Sequence, residues 1–372
     1  SLRGPDGTAQ SSGYGLPGQD ASSWFMIENL GNAEEGQILL SWDSTAWGND
    51  LRLYDMEGNE RSALVLGPGE ELALMATMDV PSDSSVGDSV STPLTMCVGT
   101  GTEEETCQTI QLTFHSSNVV SGKHIRSVPA NGLEWTVISE MTPDSGTLTW
   151  SLSDMGMAMP GWSWAGTGDL SVSGDSIIMT GAPGGTSSGS IIASLPEDAP
   201  PAFHYFSDTS QESSEHHLII TLEVLQIFRA NVTVISPQEQ PYLVEVEEGS
   251  LVVLRLENPG NGLDEYSLSY SVILDSNISS DPGVVVQFSI GQVELTPGSL
   301  TTIPVTVTLP ESTPAGVPLW IEFTVSSMGD EGVSSSDMVA LEARQDHRWD
   351  IVASVDSAPM SNGSVFIIDP GT

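Results

Sequence analysis

Basic residues are scarce in this sequence. Nine lysines and arginines stand against 50 aspartates and glutamates in 372 residues, which leaves a formal net charge of −41. Lys123 is the only lysine. A surface this acidic repels phosphate backbones and anionic lipid, so the charge excludes nucleic acid and anionic membrane surfaces as partners. It suits high salt, where ions screen the repulsion, or binding of divalent cations.

Long apolar runs and helical periodicity are also missing. No stretch of 18 apolar residues occurs, so we expect no direct membrane insertion by this segment, with any anchor lying beyond its ends. The hydrophobic residues, 38% of the chain, recur in short, regular runs, which argues against wholesale disorder. Many runs alternate with period two between clusters of Gly, Pro, Asn, Asp and Ser, which is typical of antiparallel β-sandwiches.

Only two cysteines are present, Cys97 and Cys107, and they flank the turn-like stretch VGTGTEEET. Both neighbouring runs are predicted strands, so we predict a disulfide across a hairpin in an oxidising compartment. Two free thiols are the alternative. A two-thiol metal site would lack partners, because no histidine is near in sequence.

A set of turn residues recurs along the chain. The motif Asn29-Leu30-Gly31-Asn32 reappears as Asn258-Pro259-Gly260-Asn261, and a Pro-Gly pair follows each asparagine 39 residues later. In each asparagine motif, glycine is expected to supply a positive φ that Asn tolerates. The landmarks of the first and third copies, all 229 residues apart, are Asn29, Gly31, Asn32, Pro68, Gly69, Pro81 and Gly87, and Asn258, Gly260, Asn261, Pro297, Gly298, Pro310 and Gly316.

Half of that offset places a middle copy about 115 residues after the first. Asp144 is predicted to match Asn29, with Pro183-Gly184 and Pro196 matching the later turns. A period this long indicates tandem domains rather than a solenoid. The fold class is therefore all-β, with three tandem Ig-like antiparallel sandwiches at 1–117, the divergent 118–229, and 230–344. Residues 1–15 are predicted coil, and 345–372 is either the start of a fourth copy or a strand donated to a neighbouring molecule.

The order of these motifs resembles the Ig-like repeats of large archaeal and bacterial surface proteins, of the CARDB-like and alpha-galactosidase-associated types. The resemblance covers most of the chain, although the middle copy departs from it at Asp144 and Thr147. It implies a stalk, adhesion module or envelope lattice and carries over no catalytic residues. The acidity with almost no lysine is similar to that of proteins from halophilic or marine archaea.

Several residues are candidates for ligand sites. Calcium could use the oxygen ligands of DMEGNE and DSSVGD, although solvated turn acids are the alternative. Three sequons permit glycosylation in a glycosylating cell. The calcium candidates are Asp55, Glu57, Asn59, Asp83 and Asp88, and the glycosylation candidates are Asn231, Asn277 and Asn362.

Soft or aromatic side chains form a second group of candidates. Met155, Met157 and Met159 alternate in DMGMAMPGWSW, which fits a core strand better than a Cu(I) site. Pairs of tryptophans offer platforms for sugar rings or simply packing. These pairs are Trp42 with Trp47 and Trp162 with Trp164.

The sequence contains little that indicates a catalytic site. His216 and His217 are adjacent in a predicted strand, so their side chains point to opposite faces and cannot readily chelate one ion. No nucleophile elbow, Walker loop, HExxH or CxxC motif occurs. We expect a non-catalytic extracellular structural protein without a cofactor other than Ca²⁺. Its expected partners are surface proteins, copies of itself, or glycans. The alternatives are a filament subunit assembled by strand donation and the carbohydrate-binding accessory region of a surface hydrolase.

Overall fold

The computed structural model describes residues 1–48, 51–56, 58–99, 105–274, 282–345, 354–355 and 358–359. Every regular element within these ranges is a β-strand, which confirms the all-β prediction. The described residues contain no helix long and apolar enough to cross a membrane. The candidates Glu57, Asn277 and Asn362 lie outside the described residues, as do most of the predicted tail strands in 345–372.

Strands β1 to β9 lie in the first 116 residues and enclose one core. Strands β1 and β2 lie within residues 1–15, so the coil predicted there is wrong, because this segment pairs with β3 and β9. Strand β2 joins the two halves of this sandwich, because it pairs with β9 over its whole length and its backbone pairs with β3 at Tyr14 alone. The sheet order is β5-β7-β3-β2-β9-β8-β4-β6, with β1 on β3. The strands are β1 (Leu2–Arg3), β2 (Gln10–Gly15), β3 (Asp20–Glu28), β4 (Glu35–Trp42), β5 (Arg52–Tyr54), β6 (Ala63–Leu66), β7 (Glu71–Asp79), β8 (Ser89–Val98) and β9 (Thr106–Ser116).

Strands β10 to β19 form three small sheets around a second core. The orders are β10-β19-β11 with β18 on β19, β12-β17-β14, and β13-β16-β15. Trp135 and Trp150 are the largest fully buried side chains of this core. The strands are β10 (Asn118–Ser121), β11 (Ile125–Ser127), β12 (Asn131–Glu140), β13 (Thr147–Ser151), β14 (Ser163–Gly168), β15 (Leu170–Ser173), β16 (Ser176–Thr180), β17 (Thr186–Ser194), β18 (Ala202–Thr209) and β19 (His216–Val224).

Strands β20 to β28 make a sandwich of a four-stranded sheet, β20-β22-β26-β24, and a five-stranded sheet, β21-β28-β27-β23-β25. A separate pair, β29 with β30, lies further along the chain. The strands are β20 (Asn231–Ser236), β21 (Tyr242–Val244), β22 (Gly249–Glu257), β23 (Asp264–Ile273), β24 (Val285–Phe288), β25 (Gln292–Leu295), β26 (Leu300–Thr308), β27 (Leu319–Ser327), β28 (Ser334–Ala343), β29 (Ser354–Val355) and β30 (Ala358–Pro359).

The predicted alternation is realised in the strands that follow the Pro-Gly turns. In β26 and just after it, Ile303, Val305, Val307 and Leu309 are all fully buried, while the residues between them are more exposed. Such alternation fixes the register, because a slip of one residue would turn every apolar side chain to water.

The chain divides into two compact units, Ser1–Ile227 and Phe228–Thr372. Among the described residues, the first unit contains two large apolar cores and a small cluster around Trp24, and the second unit contains one core. These cores follow the predicted copies, while the boundaries 1–117, 118–229 and 230–344 stay predictions.

Two arginines of the first sandwich lie where carboxylates meet. On β3 and β7, Asp20 is directly opposite Asp79, and Glu28 is opposite Glu71. Like charges directly opposite each other destabilise a sheet. Arg52 bonds both aspartates, with its closest contact 2.7 Å from Asp79 Oδ1. Arg3 likewise bridges the two glutamates, at 2.5 and 2.7 Å.

We expect Arg52→Ala to destabilise the first unit by about 0.5–1 kcal/mol at low ionic strength, because the Asp20–Asp79 repulsion is then unopposed. The pKa of Asp20 is already raised, first by its hydrogen bond with Asp79. Molar KCl should recover most of the loss, since salt screens exposed charges. Thermal unfolding at both salt levels checks this result. Arg255→Ala, on an exposed position of β22, is the matched control, and an equal effect there would contradict the role of Arg52.

Candidate functional site

The first and third copies share one hydrogen-bond network around a buried asparagine. Asn29 Nδ2 donates to the carbonyls of Ala33 at 2.8 Å and Leu66 at 3.0 Å. Its Oδ1 accepts the Gly31 N–H at 2.9 Å, and its carbonyl accepts the Gly69 N–H at 2.9 Å. The Asn29 side chain thus ties the turn after β3 to the end of β6, and its backbone carbonyl ties this turn to the Pro-Gly turn before β7.

Asn258 makes the same four contacts 229 residues later. Its Nδ2 donates to Gly262 O and Leu295 O, both at 2.9 Å. Its Oδ1 accepts the Gly260 N–H at 2.8 Å, and its carbonyl accepts the Gly298 N–H at 2.8 Å. Agreement atom by atom establishes the first and third copies as a structural repeat.

The glycines do not act as predicted. Neither Gly31 nor Gly260 has a positive φ, whereas Gly69 and Gly298 of the Pro-Gly turns have φ of 72° and 67°. The asparagine is required for its side-chain hydrogen bonds, and the left-handed backbone belongs to the Pro-Gly turns.

The middle copy keeps the backbone contact but changes the residue. Gly184 N–H donates to the carbonyl of Thr142, not to that of Asp144, so the predicted match to Asp144 is wrong by two residues. The Thr142 hydroxyl replaces the amide, accepting the Ser145 N–H at 2.9 Å and donating to Ser145 O at 3.1 Å. The prediction failed because it assumed no insertion between this turn and Pro183.

The later proline turn is common to all three copies. The carbonyls of Pro81, Pro196 and Pro310 each accept an N–H three residues on, at 3.1, 3.0 and 2.9 Å. This shared contact supports the predicted spacing of the copies at the later proline turn as well as at the Pro-Gly turn.

The described calcium candidates either bond to neighbouring residues or lie apart from further metal ligands. The Asp55 carboxylate, 2% exposed, accepts the Asn59 N–H at 2.8 Å and Arg61 Nε at 2.7 Å. Burial alone would raise the pKa of Asp55, but these bonds hold it down at about 2. Asp88 accepts the Ser85 N–H, and Asp83 is exposed. Among the described residues, neither lies with two further carboxylate, His or Cys ligands close enough to share one ion, and a calcium site stays a prediction.

Cys97 and Cys107 are opposite each other on β8 and β9, with Cα atoms 4.2 Å apart, and a disulfide joins them in the structure. The bond crosses the last hairpin of the first sandwich.

Reduction of this disulfide should destabilise the first sandwich by about 2 kcal/mol, because a closed loop of roughly ten residues limits the unfolded chain. The Cys97→Ser/Cys107→Ser variant should melt at the temperature of the reduced native chain. Intact mass before and after reduction, which should differ by two hydrogens, tests the bond itself. Thiols that titrate in the denatured, unreduced protein would contradict it.

The tryptophan and methionine candidates lie in packing positions. Met155 and Met157 are buried in the second core. Trp162 and Trp164 are half-buried, with ring centroids 5.9 Å apart, and both meet Phe206 edge-on. Part of each ring is therefore engaged in packing within the second sandwich. Trp42 and Trp47 are also half-buried, and both pack against the first core. Asn231 is exposed at the start of β20, as an acceptor for glycosylation must be.

His216 and His217 point to opposite faces of β19, as predicted. His216 is buried in the second sandwich, where Nδ1 lies 2.9 Å from Ser213 Oγ and Nε2 lies 2.9 Å from Glu140 O. His217 faces the first sandwich and stacks on Tyr14 with centroids 3.8 Å apart.

A histidine-rich junction joins the first two sandwiches inside the compact unit. Tyr14 on β2 stacks on His217 and also on His115, whose ring is 5.0 Å away. The rings of Trp24 and Phe203 lie 4.8 Å apart, tilted by 38°, in the same junction beside His124. Sequence reasoning missed this cluster, because its members are distant in the chain and no local spacing links them.

Burial sets the charge state of the junction. It lowers the pKa of His115, His124 and His217, and brings that of His217 to about 4. Repulsion by His115 and His216 adds to the effect on His217, while Asp208 opposes it. The junction is therefore built from neutral imidazoles at neutral pH.

No family model matches the chain, and no curated protein matches it. Among solved structures, the FixG-related protein from Vibrio parahaemolyticus is 16% identical over 32% of this chain and 100% of its own, with a TM-score of 0.25. The extracellular cadherin domains 1–5 of protocadherin gamma B2 match 91% of this chain at 10% identity and a TM-score of 0.33, and the match spans 59% of that chain. Domains 1–4 of protocadherin gamma B7 match 92% of this chain and 76% of theirs, at 13% identity and a TM-score of 0.31. By its own recurring turns, the chain is a tandem β-sandwich repeat protein.

Proposed function

We propose that this chain is a non-catalytic, load-bearing segment of an extracellular surface protein, related to the Ig-like repeats of prokaryotic cell surfaces. The observation that carries the proposal is the pairing of an early strand parallel to the last strand in each sandwich. In the first sandwich β2 runs parallel to β9 along six residue pairs. In the second, β10 and β11 run parallel to β19, and in the third β21 runs parallel to β28 along three pairs.

Parallel pairing near the two ends of a domain resists tension. Force on the chain ends pulls the two parallel strands in opposite directions along their length. All hydrogen bonds of the pair are then loaded together, whereas an antiparallel hairpin opens one bond at a time. A stalk or lattice segment needs this resistance, and an enzyme does not.

Two further observations support an extracellular placement. The Cys97–Cys107 disulfide persists only where the surroundings are oxidising. The acidic surface keeps the chain soluble in concentrated salt. The partners we propose are other surface proteins or copies of this chain.

Single-molecule stretching of the whole chain tests the proposal. We expect three separate unfolding events, each releasing about 400 Å of extended chain for roughly 115 residues. The first sandwich should unfold at a higher force than the third, because its parallel strands share six residue pairs and those of the third share three. Smooth extension without such events would contradict a load-bearing role.

Thr113→Pro makes the test specific. Thr113 lies on β9 opposite Ser12 of β2 and is two residues after Gln111, whose N–H donates to the Ala9 carbonyl, so proline at 113 removes a backbone donor of the β2–β9 pair. We expect the first sandwich of this variant to unfold before the third. Val65→Pro, in the edge strand β6 outside the parallel pair, is the matched control and should leave the order of events unchanged. Melting temperatures of both variants separate loss of mechanical strength from loss of stability.

A further inference from the structure

A cleft with a volume near 580 Å³ lies between the two sandwiches of the first unit. One wall is β2 with the segment before it, and the other is the turn at Asp154 and Met155 together with β18. This volume falls within the range of small-molecule sites and would hold one or two sugar rings.

The side chains of the cleft select against charged and apolar ligands. Among its twelve lining residues, seven carry a hydroxyl or an amide, two are aspartates, and none is Lys, Arg or His. With no cation in the walls and a chain of net charge −41, an anionic ligand would be repelled. With so few apolar groups, a hydrophobic ligand would gain little from burial.

The walls are held in place before any ligand arrives. Asp6 Oδ1 accepts both the N–H and the hydroxyl of Thr8, at 3.0 and 2.8 Å, which fixes the loop before β2. The Tyr14 ring is stacked on His217 and His115. Met155 is buried in the opposite wall. Such rigidity reduces the entropy lost on binding.

One buried polar group in the cleft lacks a partner. Tyr205 Oη has no accessible surface and no hydrogen bond of acceptable geometry among the described residues. Burial raises the pKa of Tyr205, against a smaller opposing effect of the nearby Ser207 hydroxyl. A hydroxyl left unsatisfied in this way costs about 1–3 kcal/mol. A small shift of the ring would allow a ligand hydroxyl to supply the missing bond.

We infer that this cleft binds a neutral oligosaccharide. The hydroxyl and amide groups would exchange hydrogen bonds with sugar hydroxyls, and the Asp6 and Asp154 carboxylates would accept from them across the cleft. The inference deepens the proposed function, because it names the class of ligand through which an adhesive surface segment would attach.

Ligand-observed NMR and calorimetry on the whole chain test the inference. The neutral probes are cellobiose, maltose, lactose and N,N′-diacetylchitobiose, and the counter-probes are 3′-sialyllactose and CaCl₂. We expect at least one neutral disaccharide to bind, and sialyllactose to bind at least tenfold more weakly than lactose or not at all. Tyr205→Phe and Asp154→Asn should each weaken binding of the neutral disaccharide about tenfold.

Matched variants outside the cleft are Tyr242→Phe and Asp83→Asn, which should bind the sugar like the native chain. The inference is overturned if no neutral disaccharide binds, or if both cleft variants bind it as the native chain does. Binding of Ca²⁺ that depends on Asp154, without sugar binding, would also overturn it and assign the cleft to a cation. None of these outcomes changes the stretching result, so the load-bearing role and the sugar site fail independently.

Discussion

Asn258→Ala is expected to lower the free energy of unfolding of the third sandwich by about 3 kcal/mol. The change leaves the Gly262 and Leu295 carbonyls and the Gly260 N–H without their side-chain partner, in a site where Asn258 is 1% exposed. Each unsatisfied buried group costs on the order of 1–3 kcal/mol, and partial access of water reduces the sum. Calorimetry should show one transition moving down by roughly 15 °C for a domain of this size.

Asn258→Asp sharpens the test, because it changes almost no volume. The aspartate could still accept the Gly260 N–H, but its second oxygen would face two carbonyl oxygens where the amide now donates at 2.9 Å. We expect a loss at least as large as for alanine. The control is Asn231→Ala, at an exposed position of β20, with an effect within about 0.5 kcal/mol. A loss below about 1 kcal/mol for Asn258→Ala would show that the network is dispensable.

The repeat could be predicted from sequence because its turns are local. A Pro-Gly pair specifies its own backbone, and alternation in a strand such as β26 follows from one buried face. The role of Asn29 and Asn258 was only half predictable. The turn was evident, but hydrogen bonds to carbonyls 37 residues away depend on tertiary structure.

The middle copy shows where spacing fails. A threonine performs the task of the asparagine at Thr142, two residues from the expected position. A hydroxyl can replace an amide in a turn because both accept a nearby N–H, so the residue type changes while the backbone contact stays. Spacing alone detects the copy but cannot place its residues.

The junction and the cleft could not be predicted at all. Tyr14, His115 and His217 meet only after two sandwiches have folded and docked, and each is an ordinary strand residue in its local sequence. The same holds for the cleft, whose walls are more than 100 residues apart in the chain. Sequence patterns report the periodicity of single elements, whereas these sites lie between domains.

Acid is expected to weaken the junction between the first two sandwiches. The pKa of His217 is lowered to about 4, chiefly by burial, from an ordinary value of 6.5. A histidine with a lowered pKa in the folded state stabilises the fold fully above pH 6.5, and this contribution is lost as the pH falls from 6.5 to 4. His217 is half-buried, so water reduces the effect, and we expect a loss of about 2 kcal/mol.

The effect must be separated from that of the carboxylates. Fifty acidic residues lose charge at low pH, which relieves repulsion and acts in the opposite direction. The measured quantity is therefore the difference in unfolding free energy between the native chain and His217→Gln, followed by denaturant titration from pH 7 to 4.5. Glutamine keeps a polar side chain beside Thr209 and does not titrate.

This difference should fall as the pH falls, mostly below pH 6. His115→Gln should remove a smaller part of the pH-dependent loss in unfolding free energy. His115 acts on His217 by repulsion and has its own lowered pKa. The contribution of Asp55, whose pKa is about 2, disappears only below pH 4 and does not overlap with this range. A difference that stays constant from pH 7 to 4.5 would mean that His217 accepts a proton in the folded junction without cost. The stack on Tyr14 would then be no barrier to protonation, and the junction would not respond to acid.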